Sequence, residues 1–78
     1  TTLFRSYIQV GAFGSKAAAL ENASRLGGGF PTLIEMSGSA GKETWRVFVG
    51  PLSRDESGVA LVRVRALGYK DAFVKRGS

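Results

Sequence analysis

Ile8-Gln9-Val10-Gly11 and Val47-Phe48-Val49-Gly50 lie 39 residues apart and carry one pattern: apolar alternation closed by glycine. The same shift lays Gly29-Phe30 on Gly68-Tyr69 and Ile34 on Phe73. The stretches between fit with a small gap, Leu26-Gly27 matching Leu67-Gly68. The matched glycines argue against chance similarity of short apolar runs. Two copies of strand–helix–strand in 78 residues predict β-α-β-β-α-β. This is an α+β, ferredoxin-like (RNP-like) fold, with two helices on one face of a four-stranded antiparallel sheet.

Local signals give the same elements. From Leu3 to Val10 the chain alternates, with Phe4, Ser6, Ile8 and Val10 on one side and Leu3, Arg5, Tyr7 and Gln9 on the other. That period of two predicts a strand with one buried face, ended by Gly11. Ser15 is the expected N-cap of a helix to about Leu26, with Ala17, Ala18, Leu20, Ala23 and Leu26 as its apolar face. Gly27-Gly28-Gly29 is expected to stop it through a left-handed glycine. Thr32 to Met36 reads as the second strand and Ser37 to Glu43 as a polar hairpin loop. Thr44 to Val49 is the third strand. Ser53-Arg54-Asp55-Glu56 has the spacing of a capping box opening the second helix. Ala60, Leu61, Val64 and Leu67 are its predicted buried stripe, Gly68 its C-terminal cap, and Asp71 to Lys75 the last strand.

Composition sets the outer bounds. The length suits a single domain, residues 1–78, with 44% apolar residues for one modest core. Absence of Cys and His excludes a disulfide scaffold, a Cys/His zinc site, a Cys nucleophile and a His general base. Eleven Lys and Arg against six Asp and Glu give a net charge of +5, which favours an anionic partner. No apolar run approaches the ~18–20 residues of a membrane span, so no membrane contact is expected. No charged-then-apolar leader precedes Thr1, so any targeting segment is expected to have been removed or to lie elsewhere in a longer parent.

In this architecture the first and third strands are central and one sheet face carries no helix. If Ile8 and Val10 point to the helices, Tyr7 and Gln9 point away from them. If Trp45, Val47 and Val49 point inward, then Thr44, Arg46 and Phe48 point outward. The opposite register buries an unpaired Arg46, which is costly. The open face then offers an amide, a guanidinium, two aromatic rings and a hydroxyl, a set suited to a flat, hydroxylated ligand with negative charge.

Enzyme readings fare poorly. Glu35 and Glu43 flank the hairpin and formally make a carboxylate pair, but read better as solvated strand-end charges. Gly27-Gly28-Gly29 ends a helix, whereas a phosphate-binding loop precedes one. Ser15 and Ser53 lack a His partner and read as caps. No catalytic residue, metal or cofactor is expected. Arg63, Arg65, Lys70, Lys75 and Arg76 read mostly as solvated surface.

Three segments, Tyr7 to Phe13 (YIQVGAF), Trp45 to Leu52 (WRVFVGPL) and Arg65 to Phe73 (RALGYKDAF), together resemble a SPOR domain, the sporulation-related repeat of bacterial cell-wall and division proteins. The resemblance covers nearly the whole chain. It implies the fold already argued and binding, without catalysis, of peptidoglycan strands stripped of stem peptides, the denuded glycans of the division septum. It implies a periplasmic or cell-envelope location, and a parent such as an amidase, a lytic transglycosylase or a membrane-anchored division protein. The family's strand-one Gln matches Gln9 and its strand-three Arg matches Arg46. The small polar residue after the first strand's Gly is Ala12 here, so the side-chain hydrogen bond of some members is absent. The aromatic position two residues before the Arg is Thr44, with Trp45 one residue later. Stacking then falls to Tyr7 or Phe48 instead. The implied site is Gln9, Arg46, Tyr7, Phe48, Thr44, Trp45 and Ala12.

Two alternatives come from other classes. A single-stranded RNA-binding module of the RNA-recognition type shares this topology. It calls for K/R-G-F/Y-G/A-F-V-x-F/Y on strand three, where this chain has Trp45-Arg-Val-Phe-Val-Gly-Pro51, so no nucleic acid is expected. A protein–protein module using a sheet edge or the open face predicts a dimer or stable hetero-complex, whereas the glycan reading expects a monomer.

Overall fold

A computed structural model describes residues 5–77, apart from the side chains of residues 54 and 76. Leu3 and Phe4 lie outside the described residues. The elements run β1 (Arg5–Phe13), α1 (Lys16–Leu26), β2 (Thr32–Ser37), β3 (Thr44–Leu52), α2 (Arg54–Ala66) and β4 (Phe73–Gly77). All strand pairs are antiparallel and the order is β2-β3-β1-β4, so β1 and β3 are central, as the repeat predicts. The two central strands are offset by 39 residues at both ends.

Caps define both helices. Ser15 Oγ accepts the N–H of Ala18 at 3.2 Å. The Ser53 box is complete: its Oγ accepts from Glu56 N at 3.2 Å, and Glu56 Oε1 accepts from Ser53 N at 2.9 Å. The buried side of α1 is Ala19, Ala23 and Leu26. The expected face is thus corrected, because Leu20 is 49% exposed. One residue along a helix is a turn of about 100°, enough to carry Leu20 off the sheet while Ala19 lets the backbones approach. In α2, Ala60 and Val64 are buried and Leu61 packs beside them, but Leu67 is 60% exposed, one step beyond the last buried turn.

The end of α1 also differs from expectation. Gly27 is right-handed helical at φ −64°, and none of the three glycines has positive φ. The chain instead keeps turning, with Gly29 N and Phe30 N both donating to Leu26 O at 3.1 and 3.0 Å. Phe30 then packs against the core, as does its repeat equivalent Tyr69. After α2 the expected glycine is present: Gly68 takes φ +115°. Ile8, Leu26, Val47, Val49 and Val64 are the largest fully buried side chains, and they join both helices to the central strands. No helix among the described residues is long and apolar enough to cross a membrane.

Each central strand outruns its predicted end by three residues. β1 continues through Gly11 to Phe13, and β3 continues through Gly50-Pro51 to Leu52. Both extensions contain a shift in register, between Gln9 and Gly11 and between Ser6 and Ile8. β4 begins at Phe73, two residues later than the sequence suggests.

Candidate functional site on the uncovered sheet face

Directly paired residues of antiparallel strands project to the same side, so the register lays out the face. One row crosses the whole sheet: Leu33 pairs with Phe48, Phe48 with Gln9, and Gln9 with Phe73. The neighbouring row is Glu35, Arg46 and Ala12. Ser37 and Thr44 follow on one side, Tyr7 and Lys75 on the other.

The shift after Gln9 places Ala12 in this set. Val10 is the extra residue of a bulge, so Gly11 faces the core side opposite Val47 and Ala12 falls beside Arg46. Strict alternation from Tyr7 and Gln9 puts Ala12 on the other face. Five of the remaining sequence-derived residues, Tyr7, Gln9, Thr44, Arg46 and Phe48, also share the uncovered side. Trp45 stands apart: it pairs with Phe13 and Met36 and packs against the core on the helix side.

Three observations describe how the face is built. Tyr7 and Phe48 meet edge to face, their centroids 6.2 Å apart and planes at 76°. Lys75 Nζ lies 5.6 Å from the Phe48 centroid. Phe48 is thereby only 4% exposed, although it points away from the helices. It is the foundation of the face, whereas Phe73 and Leu33, 47% and 46% exposed, are the apolar surfaces offered at its two margins. Sequence reading missed both. Their places follow only once strands β2 and β4 are set in register with β3 and β1.

Arg46 is half-buried, and its Nη1 donates to Ser37 Oγ. Among the described residues the ion pair is Glu21–Arg25 on α1, so Arg46 has no carboxylate partner there. Arg5, Arg46 and Lys75 make the face cationic. Gln9, half-buried between Phe48 and Phe73, supplies a donor and an acceptor. A cleft of about 390 Å3 lies elsewhere, where Phe30 and Pro31 meet Val59, Ala60 and Arg63 of α2. It shares no residue with the uncovered face.

The uncovered face thus combines cations, a central amide and apolar margins, groups of the kind that suit an extended polar ligand. No curated protein and no solved structure matches the chain. The family profile described as SPOR domain matches residues 4–76. That span takes in all six elements almost end to end, and the chain therefore belongs to the SPOR domain family, whose members are non-catalytic peptidoglycan-binding modules of cell-envelope and division-related proteins.

Proposed function

We propose that this domain binds peptidoglycan glycan strands that lack stem peptides, and that it does so through the uncovered face. Removing the stem leaves the muramic lactyl group as a free carboxylate. A stripped strand is then a regularly charged polyanion with ring faces and acetamides. Arg46 takes the carboxylate, Gln9 an acetamide, and Tyr7 with the exposed apolar margins the ring faces. The observation that carries this reading is Arg46: half-buried, held by Ser37, and without a carboxylate partner among the described residues. A guanidinium so placed meets a ligand carboxylate at little reorganisation cost.

In this reading residues 1–78 act as one monomeric domain of a longer periplasmic protein. The domain carries its parent, such as an amidase or a lytic transglycosylase, to the division septum, where stripped strands accumulate. The test is a titration with a short denuded glycan, a stem-bearing glycan and single-stranded RNA, repeated for Arg46→Ala and Gln9→Ala. Saturable binding of the denuded glycan, weakened by both substitutions, is expected. Salt-sensitive RNA binding without glycan binding would overturn the reading in favour of a nucleic-acid module.

A further inference from the structure

We propose that Glu35 is the specificity-determining residue by which this face disfavours stem-bearing strands, with Ser37 as the positioning residue that leaves Glu35 free to act. The inference rests on the glycan reading above and adds to it a charge that the stem must pass.

Glu35 is the direct cross-strand neighbour of Arg46. Side chains so placed are about 5 Å apart at Cβ, and opposite charges there ordinarily pair. In this protein they do not. The Arg46 guanidinium donates to Ser37 Oγ, two residues further along β2 on the same side. Glu35 is left exposed beside a guanidinium whose Nη1 is turned to Ser37 and whose other donors remain open to a ligand.

The other five acidic residues lie off this face. Glu21 pairs with Arg25 on α1. Glu43 accepts the N–H of Gly41 within the hairpin loop at 3.3 Å. Asp55 and Glu56 sit in the first turn of α2, and Asp71 lies in the turn before β4. The face thus carries cations on β1, β3 and β4, and its one carboxylate on the β2 edge.

A stripped muramic residue presents a carboxylate to Arg46. In a stem-bearing strand the same carbonyl carbon is an amide, so Arg46 meets a neutral group. The stem continues outward from that point with carboxylates of its own. Its nearer way off the sheet crosses β2, where Glu35 stands. Discrimination therefore has two parts: a lost charge-assisted hydrogen bond at Arg46, and like-charge repulsion at Glu35. Positive net charge alone attracts both kinds of strand. A lactyl carboxylate at Arg46 also feels Glu35, but the guanidinium offsets that repulsion, whereas the stem's further carboxylates meet Glu35 without a cation paired to them.

Calorimetric titration of the domain with denuded and stem-bearing oligosaccharides of equal length tests this. The readout is the ratio of the two dissociation constants in wild type, Glu35→Gln, Ser37→Ala and the control Glu21→Gln. Glu35→Gln is expected to lower the preference for denuded glycan by about threefold to fivefold. The change should shrink at high salt. Ser37→Ala frees Arg46 to pair with Glu35 and weakens denuded binding. Glu21→Gln removes the same charge from a helix surface and leaves the ratio alone. An unchanged ratio in Glu35→Gln, or an equal change in Glu21→Gln, overturns the role of Glu35 while the glycan reading stands. A wild-type domain that binds neither oligosaccharide overturns both.

Discussion

The ammonium of Lys75 stands 5.6 Å from the centroid of the Phe48 ring, over a side chain that points to the uncovered face yet is 4% exposed. Tyr7 meets the same ring edge-on. A large aromatic covered by neighbours on a sheet face without helices is a second, small core. Phe48→Ala should therefore destabilise the domain by about 3 kcal/mol, as truncation of a buried Phe does. Lys75→Gln removes a cation–π contact worth about 0.5–1 kcal/mol. Urea denaturation gives both values. If Phe48→Ala costs no more than Lys75→Gln, Phe48 is not the foundation assigned to it.

Tyr7 depends in turn on Gly50. A Cβ at Gly50 would lie 2.8 Å from Tyr7 Cδ1 and 2.9 Å from the Ser6 carbonyl oxygen. The residue also has φ +146°, a conformation that side chains disfavour. The ring of Tyr7 can turn away, but the Ser6 backbone is held in the β1–β3 ladder. Gly50→Ala should cost about 3 kcal/mol in strain and displacement, with the urea m-value unchanged. A midpoint equal to that of the wild type would show that β3 can relax there.

Tyr69 donates its hydroxyl to Asn22 Oδ1 at 2.8 Å, joining the segment after α2 to the middle of α1. Asn22 Nδ2 donates to the Ala18 carbonyl at 2.8 Å, so the amide is held at both ends. Both residues are half-buried. Tyr69→Phe leaves Asn22 Oδ1 without that donor and should cost about 1 kcal/mol. Asn22→Ala combined with Tyr69→Phe should cost less than the sum of the two single changes. Strict additivity in this double-mutant cycle would mean the bond contributes nothing to stability.

The repeat made the fold legible because it is a property of the two halves together. Its offset reappears unchanged in the bounds of β1 and β3. The serine caps were legible because one side chain and one spacing suffice. The strand ends were not. Gly11 and Gly50 look like stops, but each sits at a register shift inside a paired strand, and pairing is decided by the partner strand. Helix phase failed at Leu20 and Leu67 for a related reason: several apolar rotations were available, and the sheet selects one. At the site, alternation located Tyr7, Gln9, Thr44, Arg46 and Phe48, while the burial of Phe48 and the proximity of Lys75 and Phe73 required the register of β4.

Glu56 makes one consequence testable by pH alone. Its carboxyl is held below the usual glutamate range, first by the Ser53 backbone N–H and then by the Ser53 side chain; slight desolvation works the other way. A carboxylate with a lower pKa in the folded chain than in the unfolded chain stabilises the fold fully above its unfolded value. That contribution drains away as the pH falls through the folded value. The melting temperature of the wild-type domain should therefore decline on acidification, and Glu56→Gln should flatten part of that decline. Ser53→Ala should flatten it too, and should also lower stability at neutral pH by about 1 kcal/mol through loss of the cap. Parallel melting-temperature profiles for wild type and Glu56→Gln, from neutral pH down through the carboxylate range, would show that the capping box does not couple this titration to folding.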